Sequence, residues 1–176
     1  HPPMCLPPLD GFIRGTRTAA IDPSAVTFLM QKEGLTPAET DTIMNKKSGF
    51  LGISGVSSDM RDVEEAAAAG NERAQLALDI FYYEVPKIIA SYIVALQGLD
   101  ALVFTAGIGE NGCNVREGIC KELECLGIKM DYEKNDGIRG KEVRLDAEGS
   151  TAAIFMLPTH EEPMIARDTK EIGAAL

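Results

Sequence analysis

DALVFTAGIGENG, residues 100–112, is the stretch around which the rest of the chain organises. Ala101 to Phe104 form a short apolar run closed by glycine, which predicts a buried strand covered on both faces. After Gly112, Asn114 and Glu117 form a capping-type pair, and Val115, Ile119, Leu123 and Leu126 line a helix that stops at Gly127. Between strand and helix lie Gly107, Gly109 and Gly112. Such glycines let backbone N–H groups close around an anion, and a helix N-terminus adds partial positive charge. The dipole supplies only about 0.3–1 kcal/mol to an exposed anion, so several N–H groups must act together. Two other readings fit the same residues. The glycines can simply pack the helix on the sheet. They also satisfy Gly-x-Gly-x-x-Gly, with Asp131 near the distance at which a dinucleotide fold places its ribose-binding acid. Against that last reading, the candidate second strand from Ile128 to Met130 is very short, and the unit follows a large helical segment.

Upstream, Asp22 caps a helix with Pro23 in its first turn, Val26, Leu29 and Met30 on one face, and Gly34 as its stop. Thr36, Pro37 and Glu39 start a second helix with Ile43 and Met44 on its apolar side. Residues 50–58 alternate small and apolar side chains and read as a loop entering an alanine-rich helix from about Asp59 to Ala69. From Glu72 to Gln97 no glycine interrupts the chain, and Leu76, Ile80, Tyr83, Ile88, Tyr92 and Leu96 recur at helical spacing. This is the longest predicted helix, with a kink or break expected near Tyr82 to Pro86. Downstream, Val143–Leu145 and Ala152–Leu157 flank a turn and are expected to pair as a hairpin, followed by a helix from near Glu161 to Ile172.

A chain of 176 residues with 45% apolar side chains is sized for one core, and its net charge of −10 repels phosphate backbones and anionic lipid. Nucleic acid and membrane are therefore not expected partners, whereas a nucleotide pocket remains compatible. No apolar stretch approaches the roughly 18 residues of a membrane span, and no basic-then-apolar leader opens the sequence, so the cytoplasm is the expected compartment. Cys5, Cys113, Cys120 and Cys125 form no Cys-x-x-Cys pair and read as reduced thiols. His1 and His160 are far apart. The first residues, without Met and rich in proline at positions 2, 3, 7 and 8, read as a broken-off connection.

Five blocks carry a resemblance: GTR (residues 15–17), NKKSG (45–49), LGISGVSSDMRD (51–62), FTAGIGEN (104–111) and MIARDT (164–169). In this order they resemble successive segments of the acetate kinases, over nearly the whole chain. The resemblance implies an α/β fold, a ribonuclease H-like (actin-like ATPase) lobe with a mixed sheet and many helices, and transfer of a phosphoryl group between ATP and acetate. Residues 1–176 then correspond to the C-terminal nucleotide-binding lobe, with the N-terminal lobe absent. Arg17 resembles the arginine that neutralises charge on the transferring group; without the family it reads equally well as half of a surface ion pair. Asp59, Met60 and Arg61 match the segment beside the adenosine, although Asp59 is also a natural N-cap. Gly107, Ile108, Gly109, Glu110 and Asn111 match a nucleotide loop that approaches adenosine and phosphate through backbone groups. Glu161 matches the acid that supports Mg2+, often through water. ATP or ADP, Mg2+, acetate and acetyl phosphate are the implied ligands, and a homodimer the implied assembly.

The chain departs from the family pattern at His160, where asparagine is usual, at Pro163, and at Thr18-Ala19-Ala20. These bear on the metal side of the site and on the segment after Arg17. The N-terminal lobe carries a metal-binding asparagine, a carboxylate-binding arginine, catalytic histidines and a second phosphate loop, so this chain alone is expected to be inactive. A propionate- or butyrate-type carboxylate kinase, or a nucleotide-binding lobe without catalysis, are the alternative readings.

Overall fold

Caps written into the sequence start the first helices. Asp22 accepts a hydrogen bond from the Ser24 amide ahead of α1 (Pro23–Glu33), and Gly34 closes that helix at φ 66°. Thr36 and Glu39 bond reciprocally at the start of α2 (Pro37–Lys46). The computed structural model describes residues 9–159 and 161–174, so His1, Cys5, the prolines at 2, 3, 7 and 8, and His160 lie outside the described residues. The chain divides into two compact units, His1–Gln97 and Gly98–Leu176.

In the first unit the stretch expected as a loop is partly helical: α3 spans Gly49–Ser54, with Phe50 and Ser54 buried one turn apart and the Ser54 hydroxyl donating to the Phe50 carbonyl. Helix α4 (Met60–Ala68) follows. Helix α5 (Glu72–Leu96) opens at Asn71, whose side chain accepts from the Arg73 and Ala74 amides, and runs unbroken through Pro86. The expected break is absent because proline removes a single interior hydrogen bond while packing holds the turns before it. The buried face also differs from the one the large apolar residues suggest. Ala74, Ala77, Leu78 and Phe81 are buried against α3 and α4, whereas Leu76, Tyr83, Tyr92 and Leu96 are exposed. Small alanines allow the close approach, and Phe81 fills the centre between Phe12 and Phe50, each ring centroid 5.4 Å away.

Among the described residues the second unit holds a three-stranded mixed sheet of order β1-β3-β2. Strand β1 (Ala101–Phe104) runs parallel to β3 (Ala153–Met156), and β2 (Val143–Arg144) pairs antiparallel with β3, giving the expected hairpin. Among the described residues β1 is an edge strand, not one covered on both faces: Phe104 is buried but Val103 is 47% exposed. Residues 128–130 form only a bridge from Met130 to Asp146, and Asp131 caps α8 (Tyr132–Asn135) by accepting from the Lys134 amide. With β1's parallel partner about fifty residues downstream and Asp131 engaged as a cap, the dinucleotide reading fails. Residues expected as an open glycine loop coil into a short helix, α6 (Ala106–Asn111), and α7 (Cys113–Leu123) starts immediately after Gly112. Asn114 does not cap α7. The helix begins at Cys113, one residue ahead of Asn114, behind an N-cap Gly112 whose amide still bonds the Ile108 carbonyl, and Glu117 pairs instead with Lys121 at 2.6 Å. A 3-10 turn, Glu124–Leu126, carries the chain to Gly127 at φ 79°. Helix α9 spans Glu161–Ala174, as expected.

Candidate functional site

Arg17 sits on a segment held from two sides in the first unit. The Phe50 and Leu51 amides, at the N-terminus of α3, donate to the Arg14 and Gly15 carbonyls at 3.1 and 3.0 Å, and the Ser48 amide donates to Thr16 at 2.9 Å. Backbone carbonyls thus serve the helix N–H groups that a side chain would otherwise cap. Gly49 permits this approach: at φ 62°, a Cβ there would lie 1.7 Å from the Arg14 carbonyl oxygen. On the other side Gly15 meets Ser58, with a Cβ position 2.8 Å from the Ser58 oxygen. The structure therefore packs the Arg17 segment against the segment leading to Asp59. Arg17 is half-buried as a residue, and among the described residues its guanidinium enters no ion pair or hydrogen bond.

Asp59 caps α4 by accepting from the Arg61 amide and also binds the Arg61 side chain through two contacts, 3.0 and 2.6 Å. Those bonds hold its carboxyl down to about 2. The preceding turn is fixed by the Ser57 hydroxyl, which donates to Asp62 and accepts from the Asp59 amide. Arg61 is exposed, while the Met60 side chain lies in the core at 6% exposure.

In the second unit the glycines of α6 divide the work. A Cβ at Gly109 would stand 3.1 Å from the Phe104 carbonyl carbon, so this glycine lets α6 sit on the end of β1. Among the described residues, nothing lies within 4 Å of a Cβ added at Gly107. Ala106, not a glycine, takes the left-handed conformation at φ 58°. Its amide donates to the Thr159 hydroxyl at 2.8 Å, and Glu110 accepts from the Thr159 amide and hydroxyl at 2.6 and 2.7 Å. The Glu110 carboxylate thus ties the glycine turn to the segment entering α9. Ile108 is exposed, and the Asn111 amide group bonds back to the Gly107 carbonyl at 3.1 Å. Glu161 is the first residue of α9, and its side chain lies outside the described residues. Among the described residues no three His, Cys, Asp or Glu side chains gather as a metal cluster, and no helix is long and apolar enough to cross a membrane.

Sequence reasoning missed Thr159 and Arg116. Arg116 occupies a helix position between Val115 and Ile119, inside the stripe Val115, Arg116, Ile119, Cys120 and Leu123. That periodicity is the signal that places it on the buried face.

The Acetokinase family profile matches residues 2–167. The chain belongs to the acetokinase family. It is 53% identical over 169 residues to the acetate kinase of Methanosarcina mazei and 55% identical over 166 residues to that of Heliobacterium modesticaldum. These alignments cover 96% and 94% of this chain but 41% of each relative, so the chain spans about two fifths of the curated relatives it matches. Among solved structures it resembles Porphyromonas gingivalis acetate kinase, with a TM-score of 0.88 and 46% identity over 94% of this chain and 41% of that one. It also resembles a propionate kinase from Francisella tularensis, with a TM-score of 0.84 and 42% identity over 92% and 41% of the two chains. The α/β architecture expected from the sequence is that of these acetokinase neighbours, and a small mixed sheet with many helices is consistent with an actin-like ATPase lobe.

Proposed function

We propose that this acetokinase chain is the C-terminal, nucleotide-binding lobe of an acetate kinase, which transfers a phosphoryl group between ATP and acetate to give ADP and acetyl phosphate. The observation that carries the reading is its 53% identity to an acetate kinase across 96% of its length. The geometry supports it. Arg17 keeps a guanidinium uncommitted among the described residues on a rigidly held segment, as a group that meets charge developing on a transferring phosphoryl should. Asp59, Met60 and Arg61 contribute the adenosine side, with Met60 acting from the core as support. Gly107, Ile108, Gly109, Glu110 and Asn111 offer backbone groups to the nucleotide, and Gly107 leaves the space a ligand needs.

Magnesium takes oxygen ligands and keeps several waters, so one carboxylate beside phosphate oxygens is a fitting protein contribution, and Glu161 is of that chemistry. Bound to the nucleotide, the ion neutralises charge on the phosphate oxygens. The remaining contacts, to the carboxylate substrate above all, fall to an N-terminal lobe, so this chain alone is inactive. We place the enzyme in the cytoplasm as a homodimer. The similarity to a propionate kinase favours a second reading, a propionate-type acyl preference in the same reaction, which kcat/KM for acetate against propionate in the full-length protein decides.

Gly107→Ala tests the nucleotide reading directly. The new methyl group meets nothing within 4 Å among the described residues, and alanine is the better helix former by about 1 kcal/mol, so stability should hold or rise. ADP affinity, measured by calorimetry on the full-length protein, should fall severalfold. Unchanged affinity, or tighter binding of a nicotinamide dinucleotide than of ADP, would remove this turn from the site.

A further inference from the structure

Arg116 is a fully buried cation whose bound partners among the described residues are all neutral oxygens. Its Nε donates to Asn135 Oδ1 at 2.8 Å, Nη1 to the Gly109 and Glu110 carbonyls at 2.7 and 3.2 Å, and Nη2 to the Ile138 carbonyl at 2.8 Å. Asn135, 1% exposed, donates in turn to the Cys113 carbonyl at 2.9 Å. One guanidinium thereby joins the last turn of α6, the first residue of α7, α8 and the segment after it. Burial opposes this charge and lowers its pKa from the ordinary arginine value. Where only packing matters, an apolar side chain of similar volume does as well or better than a buried ion. The charge therefore calls for an explanation beyond filling space.

The peptide plane supplies one. Each carbonyl shares a rigid plane with the next residue's N–H, which points the opposite way. Fixing the Gly109 and Glu110 carbonyls fixes the last turn of α6, and through the helix it orients the first-turn N–H groups of Gly107 and Ile108, which have no partner within the helix. The same cation sits at the carbonyl end of α6, where aligned peptide dipoles favour positive charge. Glu110 is pinned independently at Thr159, so the turn is held at both its backbone and its side chain.

We infer that Arg116, braced by Asn135, is a positioning residue that sets the backbone of the 107–111 turn for an adenine nucleotide without touching the ligand. The inference rests on the reading of that turn as the nucleotide loop. A planar fork with several donors is required, because lysine offers charge from one point and cannot reach Asn135, Gly109 and Ile138 together.

The test uses the full-length protein with Arg116→Lys and Asn135→Ala, comparing ADP affinity by calorimetry and the KM for nucleotide and for carboxylate. Arg116→Lys should raise the nucleotide Kd and KM by about tenfold, the size of one charged hydrogen-bond term, and leave the carboxylate KM unchanged. Asn135→Ala should move the same parameters in the same direction by a few fold, and it decides the matter if Arg116→Lys does not fold. A fall in kcat with both KM values unchanged, as loss of active protein would give, overturns the inference. Wild-type protein that fails to bind ADP sinks the nucleotide reading itself, whereas wild-type binding matched by both variants sinks only the role of Arg116.

Discussion

Replacing Gly49 by alanine separates two contributions that glycine makes at this position, and Gly34 supplies the control. Both residues hold nearly the same left-handed conformation, φ 62° and φ 66°. At Gly34 an added Cβ meets nothing within 4 Å among the described residues, so Gly34→Ala should lose only the conformational term, about 1 kcal/mol for a non-glycine residue in that region. At Gly49 the Cβ falls 1.7 Å from the Arg14 carbonyl oxygen and 2.7 Å from that of Arg17, which backbone cannot tolerate. The Arg14–Arg17 segment has to move away from α3, and the bonds from Phe50 to Arg14, Leu51 to Gly15 and Ser48 to Thr16 stretch or break. At about 0.5–1.5 kcal/mol each, the loss of all three adds roughly 1.5–4.5 kcal/mol to the conformational term. Urea unfolding of the two variants in the full-length protein should show Gly49→Ala destabilised well beyond Gly34→Ala. Residual folded Gly49→Ala should also turn over slowly, since Arg17 rides on the displaced segment. Equal destabilisation of the two variants, within about 0.5 kcal/mol, would refute the clamp.

Further outcomes are expected in the same protein. Arg17→Ala should lower kcat by roughly 100-fold or more with a smaller change in nucleotide binding, with Arg17→Lys restoring part of it; a change confined to the ATP KM would reassign Arg17 to binding. Glu161→Ala should raise the magnesium concentration needed for half-maximal rate, and an unaltered magnesium dependence would remove it from the metal side. Asp59, with its carboxyl at about 2 and an ordinary value near 3.8, favours the folded state above the ordinary value and loses that contribution as pH falls from about 4 through about 2. NMR titration should find that low midpoint and see it rise in Arg61→Ala; an ordinary midpoint in the wild type would contradict the Asp59–Arg61 pair. Cys120 is buried and its thiol is pushed up to about 12, whereas Cys125 is exposed. Alkylation of the folded protein at pH 8 should therefore modify Cys125 and spare Cys120, and rapid labelling of Cys120 would show that its surroundings open.

Local chemistry alone determined much of this molecule. Asp22, Thr36 with Glu39, and the glycines at 34 and 127 act through neighbours a few residues away, so their helix ends could be read directly. The hairpin of β2 and β3 was equally legible, because its turn residues and apolar flanks lie within one short span. The ordered blocks pointed to the family for a related reason: motifs are contiguous strings. Tertiary structure decided the rest. Side-chain periodicity could not say which face of α5 is covered, since Ala74 and Ala77 are buried by what packs on them and Leu76 is left outside. Nor could it show that Gly49 and Gly15 clasp the Arg17 segment, or that Thr159 meets Glu110, because those partners are far apart in sequence. Arg116 makes the point most sharply. A charge on an apolar stripe is unfavourable until carbonyls brought in from Gly109, Glu110 and Ile138 surround it, and only the folded chain gathers those oxygens in one place.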